Sequence, residues 1–139
     1  MVITYRNFIG KKMKKVITLA TSKGGAGKTT LARSLACHWF NVGIKVGVID
    51  ADPQGSIINR HNPEGPLKDL LIIAQPEEIV DNTIADMKEN CSIVLVDTGG
   101  FRNRTTIKAL IATDIALIPL KPSADDVSGA IETYNLIKE

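Results

Sequence analysis

The sequence predicts an α/β fold with three layers, in which helices cover both faces of a mainly parallel sheet. Short apolar runs rich in β-branched residues alternate with stretches whose apolar residues recur at helical spacing. Runs that are apolar on both faces are typical of parallel strands buried between two layers of helices. The 139 residues, of which 44% are hydrophobic, are enough for one domain of this kind.

Five apolar runs are predicted strands, because each is short, nearly free of charge and bounded by turn or helix signals. They occupy residues 16–21, 45–50, 70–74, 92–97 and 114–120. The runs at 45–50 and 92–97 each end on an aspartate. Acidic side chains are therefore expected at the carboxyl edge of the sheet.

Four stretches are predicted helices. They occupy residues 29–41, residues 76 to about 90, residues 105–113 and the segment after Ser123. The first has apolar residues at helical spacing, namely Leu31, Leu35, Trp39 and Val42. Pro76 suits the first turn of the second helix, where Glu77 and Glu78 would favour the positive end of the helix dipole. Ser123 and Asp126, three residues apart, predict the cap of the last helix.

The net charge of +2 is unevenly distributed. The first 15 residues carry five basic and no acidic side chains, whereas residues 16–139 carry 12 basic and 15 acidic ones. Residues 1–14 are expected to be a basic extension, disordered or read from a start codon upstream of Met13, before a single domain at residues 15–139. No apolar run approaches the roughly 20 residues of a membrane span, and no secretory signal is present, so a cytoplasmic location is expected.

The two cysteines, Cys37 and Cys91, have no CxxC spacing, and His38, directly after Cys37, does not complete a metal-ligand motif. They predict neither a metal site nor a disulfide, and their apolar neighbours favour an interpretation as small core residues.

A glycine-rich stretch separates the first strand from the first helix. It reads Ser22, Lys23, Gly24, Gly25, Ala26, Gly27, Lys28, Thr29, Thr30. Glycines let the backbone turn successive amides towards phosphate oxygens, and the helix that follows adds its positive dipole end. Lys28 is expected to reach the β- and γ-phosphates of a nucleotide, and the Thr29 hydroxyl to bind Mg²⁺.

Carboxylates are expected close to that loop. Asp50 and Asp52 follow the second strand, and Asp97 ends the apolar run IVLVD. In a parallel sheet the carboxyl ends of the strands lie at one edge, where the phosphate loop also lies. Asp97 is predicted to hold a hydrated Mg²⁺, and Asp50 and Asp52 to face the metal and the attacking water.

These motifs resemble those of the ParA-type partition ATPases. The loop matches KGGxGK[ST], the deviant Walker A form of the ParA and MinD ATPases, and the residues from Asp50 to Gly55 match the ParA pattern DxDPQG. The segment IPLKPS at residues 118–123 is also similar to the family, so the likeness extends from residue 16 to about 128. Ser22 stands where the ordinary P-loop has glycine, and Gly99 and Gly100 replace the family's usual DxPP variant.

The resemblance implies a P-loop NTPase fold whose C-terminal part, present in family members, is missing after residue 139. It implies a weak Mg²⁺-dependent ATPase with Lys23, Lys28 and Asp52 as catalytic residues. Residues 23–30 would bind ATP, and Thr29, Asp50 and Asp97 would serve the metal. Lys23 would reach the nucleotide of the partner subunit in an ATP-dependent homodimer.

By the same resemblance, the dimer would bind DNA non-specifically on the nucleoid, respond to a ParB-like centromere-binding protein and segregate a plasmid or chromosome, with no membrane partner. The alternatives are a MinD-like positioning ATPase, a small-molecule P-loop ligase or kinase such as dethiobiotin synthetase, a nitrogenase-type reductase, and a fragment that binds nucleotide without turnover. The basic residues Arg102, Arg104 and Lys108 are interpreted as a solvated helix face, with phosphate-backbone contact as the alternative.

Overall fold

The computed structural model describes residues 14–100 and 103–138, which form an α/β domain. The elements in chain order are β1 (Lys15–Leu19), α1 (Lys28–Asn41), β2 (Val46–Ala51), a single 3₁₀ turn (Ile58–Arg60), β3 (Leu71–Ala74), α2 (Val80–Asn90), β4 (Ile93–Thr98), α3 (Arg104–Ile111), β5 (Ile115–Leu117) and α4 (Ala124–Lys138). The predicted extension at residues 1–14 lies, apart from Lys14, outside the described residues.

The five strands form one sheet in the order β3-β2-β4-β1-β5, and every pair of neighbours is parallel. β4 lies between β1 and β2, so Asp97 is in register with Leu19 on one side and with Asp50 on the other. The carboxyl ends of the three central strands are therefore level, which places the two predicted acidic strand ends side by side. The predicted parallel sheet is confirmed.

Helices cover both faces of the sheet, which confirms the three-layer prediction. On one face of the sheet, α2 and α3 pack on side chains of the central strands. This cluster contains Val16, Ile49, Ala51, Val80, Ile84, Met87, Cys91, Val94, Val96 and Ala109. On the other face, α1 packs on the side chains that point the opposite way. That cluster contains Ile17, Leu19, Ala32, Ala36, Val46, Val48, Ile57, Leu70, Ile93 and Leu95. Alternate residues of each central strand thus enter opposite clusters, as the period of a strand requires.

Several element boundaries differ from the prediction, by up to four residues. The second helix begins at Val80 and not at Pro76, because residues 75 and 76 are bound elsewhere: the Gln75 amide donates to the Asp50 carbonyl at 2.8 Å, and the Pro76 carbonyl accepts from the Thr105 hydroxyl at 2.9 Å. β5 ends at Leu117, two residues before Pro119, which has no amide to donate. The third helix ends at Ile111 and not at residue 113.

The buried stripe of α1 also differs from the predicted one. Ala32 and Ala36 are its buried residues, whereas Leu31, Leu35 and Trp39 are partly buried beside them and Val42 is 58% exposed. Small residues at the centre of the stripe let the helix approach the sheet closely, and the larger side chains fill its margins.

The core prediction for the cysteines holds for Cys91, which is buried, and is wrong for Cys37, which is half-buried on α1. Burial raises the pKa of the Cys91 thiol, with the charge of Lys45 opposing it. The Cys91 sulfur also lies where a side chain at Gly47 would have to go, 2.9 Å from the position of a Cβ there. Cys91 is thus a packing residue between α2 and β2.

Candidate functional site

The glycine-rich loop runs from the end of β1 to the start of α1. Gly25 and Gly27 have φ angles of 77° and 95°, a left-handed conformation that residues with a side chain rarely adopt. Gly27 precedes α1 and supplies no side chain to cap it, and the first turn of the helix contains no acidic residue. The first amides of α1 are therefore directed towards the loop without a side-chain acceptor, which is the arrangement of an anion site.

An open, mainly polar cleft of about 470 Å³ lies against this loop. Its lining comes from the loop, the start of α1, the segment after β2 and the glycines after β4; the residues are Thr21, Lys23, Gly24, Gly25, Gly27, Lys28, Thr29, Thr30, Arg33, Asp52, Gln54, Ser56, Arg60, Gly99 and Gly100. Seven of the eight predicted binding residues line the cleft, and Ala26 does not. Arg33 and Arg60 are cations of the cleft that sequence reasoning missed, since neither belongs to a motif.

Thr29 and Asp97 meet below the loop. The Thr29 hydroxyl donates to Asp97 Oδ2 at 2.7 Å, and the other oxygen of Asp97 is buried without a hydrogen-bond partner. A buried carboxylate oxygen with no partner is rare in proteins and fits an oxygen ligand of a cation. The described residues contain no group of three or more acidic, histidine or cysteine side chains placed to enclose a metal. The donor set therefore suits Mg²⁺, which keeps several waters and binds through phosphates.

The charge state of Asp97 responds to its surroundings. Burial raises the pKa of Asp97 to about 6, and the hydrogen bond from Thr29 acts against this rise. This value includes smaller effects of nearby charges, since the negative charges of Asp50 and Asp52 raise the pKa and the positive charge of Lys28 lowers it. A cation beside this carboxylate would stabilise its charged form.

Asp50 holds the segment that follows β2. Its Oδ2 accepts hydrogen bonds from the amides of Ile57 at 2.8 Å and Ile58 at 2.9 Å, and its Oδ1 lies 3.4 Å from the amide of Asp52. Asp50 is fully buried and does not line the cleft. Its observed contacts position the Asp52 segment, and its place in the metal shell stays a prediction.

Asp52 lies in the cleft, with its Oδ1 accepting from the Gln54 amide at 2.9 Å. Gly99, just after β4, lies close to it: a Cβ at Gly99 would be 3.3 Å from Pro53 Cδ and 3.4 Å from Asp52 Oδ1. The glycine thus lets the Asp52 segment approach the end of β4. Glycine at position 99, where the sequence departs from the family pattern, therefore leaves room for Asp52 and Pro53.

Lys23 forms ion pairs with the N-terminal turn of α4. Its Nζ lies 3.4 Å from Asp126 Oδ1 and 3.6 Å from Asp125 Oδ2. The Lys121 amide lowers the pKa of Asp126, and Lys23 and Ser123 act in the same direction. The predicted cap is present, since the Asp126 amide donates to Ser123 Oγ at 3.1 Å. Sequence reasoning missed these acidic partners because they lie about a hundred residues from the loop.

Ser22, the residue that replaces the usual glycine, also contacts α4. Its hydroxyl donates to the Gly129 carbonyl at 3.0 Å, and its amide donates to the Thr133 hydroxyl at 2.9 Å. The signals that could have found this contact were Ser22 itself and a glycine inside a predicted helix.

Of the predicted basic cluster, Arg102 lies outside the described residues. Arg104 is 81% exposed at its side chain and pairs with Glu78 at 3.4 Å, which favours the interpretation as a solvated helix face. Within the described ranges no helix is both long and apolar enough to cross a membrane.

A three-layer parallel sheet with a glycine-rich loop between its first strand and helix, and a buried aspartate on the adjacent strand end, defines a P-loop NTPase. Residues 14–64 match the family described as "AAA domain". Over 125 residues the chain is 32% identical to Protein ParA of Rhizobium radiobacter, covering 89% of this chain and 56% of that protein.

A further relative is the maintenance of carboxysome distribution protein A of Halothiobacillus neapolitanus, 29% identical over 130 residues, covering 89% of this chain and 59% of that one. Among solved structures, the MinC:MinD cell division protein complex of Aquifex aeolicus matches with a TM-score of 0.71 at 23% identity, covering 89% of this chain and 63% of the other. Over the part of their length that it spans, the chain is similar to P-loop ATPases of the ParA and MinD kind. It spans little more than half the length of the ParA relative.

Proposed function

We propose that the chain binds Mg-ATP in the cleft and hydrolyses it slowly, as the switch of a partition ATPase. The observation that carries this proposal is the contact between Thr29 and Asp97, because it places a hydroxyl and an unpartnered carboxylate oxygen directly below the phosphate loop. A ligand that brings neither a cation nor a hydrogen-bond donor would leave that oxygen unsatisfied, whereas a nucleotide bound with magnesium would satisfy it.

Each part of the cleft has a task in this proposal. The amides of the loop and of the start of α1 bind the phosphates, and Lys28 neutralises the charge that develops on transfer. Thr29 and Asp97 would hold Mg²⁺, which would supply positive charge beside the phosphates. Asp52, in the cleft and close to Gly99, orients the attacking water, while Asp50 fixes the segment that carries Asp52.

The switch itself requires two subunits. In the proposed ATP-bound homodimer, Lys23 reaches the nucleotide of the partner subunit, where a second cation stabilises the transition state as an arginine finger does. In the single chain Lys23 is paired with Asp125 and Asp126 and its side chain is 45% exposed. Dimer formation therefore has to exchange these carboxylates for phosphate.

The dimer is further proposed to bind DNA non-specifically on the nucleoid and to release it when a ParB-like partner stimulates hydrolysis. The ParA relative supports DNA, a plasmid or chromosome, as the cargo. The carboxysome distribution relative supports a second candidate, a positioning ATPase whose cargo is a protein body. Pull-down with each class of adaptor would separate the two.

The first test is calorimetric titration of Mg-ATP into the chain, with light scattering to follow its mass. The wild type should bind and double its mass, and Lys28→Ala should weaken binding at least about a hundredfold, since a charged contact to phosphate is lost. Lys45→Ala, which removes an exposed lysine outside the cleft, is the matched control. A folded wild type that binds no nucleotide would overturn the proposal in favour of an inactive fragment.

The roles of two cleft residues are tested by turnover. Lys23→Ala should bind Mg-ATP normally but lose the turnover that rises with protein concentration, and Asp52→Ala should accumulate an ATP-bound dimer. Normal hydrolysis by Lys23→Ala would remove the role proposed for Lys23 across the dimer.

A further inference from the structure

Two hydrogen bonds join the entrance of the phosphate loop to the middle of α4, and a third within α4 links their two partners. Ser22 Oγ donates to the Gly129 carbonyl at 3.0 Å, the Ser22 amide donates to Thr133 Oγ1 at 2.9 Å, and Thr133 Oγ1 donates to the Gly129 carbonyl at 2.8 Å. We call these three residues the clasp. Its two sides are more than a hundred residues apart in the chain.

Thr133 is unusual on its helix. It is fully buried and is the buried residue of α4, whereas Val127, Ile131 and Tyr134 are between 44% and 57% exposed. The hydroxyl proton of Thr133 is directed to the carbonyl four residues earlier, which leaves an oxygen lone pair to accept from the Ser22 amide. The contact of α4 with the loop is thus polar and specific.

Gly129 makes the close approach possible. A Cβ at this position would lie 3.2 Å from Ser22 Oγ and 3.6 Å from Lys23 Cβ. A glycine inside a helix lowers the stability of the helix. At position 129 this loss is accompanied by a close contact between α4 and the loop that a larger residue would prevent.

We propose that Thr133 is a positioning residue for the nucleotide: through Ser22 it fixes the entrance of the phosphate loop, so that α4 and the loop respond to nucleotide as one unit. This inference rests on the proposed binding of Mg-ATP. The loop contains two glycines with positive φ and would otherwise be free to adopt many conformations. A loop that is already fixed loses less entropy when its amides bind phosphate, so the clasp raises affinity without touching the ligand.

The decisive variants are Thr133→Val, which keeps the shape but removes the hydroxyl, and Thr133→Ser, which keeps the hydroxyl. Thr133→Val should raise the Kd for Mg-ATP about tenfold, the effect of one buried hydrogen bond, and Thr133→Ser should stay near the wild type. Thr105→Val is the matched control, since Thr105 is also buried and donates to a carbonyl, that of Pro76, away from the cleft. It should lower Tm without changing the Kd.

A second pair of variants tests the contact from the other side. Gly129→Ala should strengthen α4 as a helix yet weaken Mg-ATP binding, because the new methyl group displaces the Ser22 hydroxyl. Ser22→Gly in the same chain removes the displaced group and should recover part of the affinity. Additive losses in the double variant would contradict a direct contact.

Amide hydrogen exchange provides a readout that needs no nucleotide. Exchange at the Ser22 amide should be faster in Thr133→Val than in wild type and Thr105→Val. If wild type binds Mg-ATP while Thr133→Val binds equally well and Ser22 exchange is unchanged, the inference is wrong. If wild type binds no Mg-ATP, the proposed function fails instead, and the Ser22 exchange rates still decide whether the clasp holds the loop.

Discussion

Two regions of the molecule hold the two ends of the phosphate loop in place by different kinds of contact. One is the centre of the sheet, and the other is its β5 edge with α4, here called the flank. At the centre all six residues of β4 are buried, and Thr29 meets Asp97 over a packed core. At the flank Ile115 is 40% exposed, and α4 holds Ser22 and Lys23 through hydrogen bonds and ion pairs. The position of Thr29 and Asp97 is therefore set by close packing, whereas that of Ser22 and Lys23 is set by polar contacts.

The largest effect should come from breaking the centre. Leu95→Ala removes a fully buried side chain of β4 and should lower the free energy of unfolding by about 3 kcal/mol or more in a urea titration. Ile131→Ala on α4, where the side chain is 56% exposed, should cost less than about 1 kcal/mol. Equal losses would mean that the two regions do not differ in packing.

Asp97→Asn tests the centre by charge. Because the folded pKa of Asp97, about 6, exceeds the usual value of 3.8, the metal-free wild type should lose stability as pH rises from about 4 to 6. Asparagine avoids this loss, so metal-free Asp97→Asn should be more stable than wild type at pH 7, by about 2–3 kcal/mol, with the difference vanishing at pH 4. Its Mg-ATP affinity should fall. Thermal unfolding with a chelator at both pH values measures this, and a variant less stable at pH 7 would refute it.

Gly47→Ala tests how closely α2 packs on β2. The new Cβ would overlap Met87 Sδ and lie 2.9 Å from Cys91 Sγ, so these buried side chains or α2 itself have to move, at a cost of about 2 kcal/mol in the free energy of unfolding. Gly100→Ala is the control, because no atom lies within 4 Å of the added carbon there. Similar losses for both variants would point to backbone effects in place of packing.

The smallest effect is expected at an exposed position of α3. Ile111, at the end of this helix, is 80% exposed. Ile111→Ser should change the free energy of unfolding by less than about 0.5 kcal/mol, while reducing self-association at high concentration by removing exposed apolar surface. Sedimentation velocity measures the second property, and a large loss of stability would show that this end of α3 is packed after all.

The same contrast governs what the sequence could predict. The fold class could be predicted, because buried strands are continuous apolar runs. The place of the loop, of Thr29 and of Asp97 in the fold could also be predicted, because the phosphate loop is a local motif and Asp97 ends such a run. The strand order could not, since each central strand is apolar on both faces and fits any central position. The start of α2 was predicted four residues too early, because the contact of Pro76 with Thr105 is tertiary.

The polar contacts of α4 were beyond sequence reasoning for a related reason. Asp126 and Thr133 are ordinary residues for a helix surface, and only the fold brings them to Ser22 and Lys23. Polar side chains carry no periodic signal that distinguishes a solvated residue from one that meets a distant loop. Seven of the predicted binding residues line the cleft, but the contacts that hold the loop in place could be found only from the structure.

The strand order has a consequence for how the chain folds as it is synthesised. β1 and β2 are not neighbours, since β4 lies between them, so Val16 pairs with Val94 across almost eighty residues. β2 can pair with β3 first, but neither β1 nor β2 can complete its backbone hydrogen bonds until β4 has left the ribosome, and until then the loop after β1 has no Asp97 to meet. Such non-local pairing is slow and leaves apolar strands exposed meanwhile. Because the site lies at the centre of the sheet, we expect it to form late, only once β4 has joined β1 and β2.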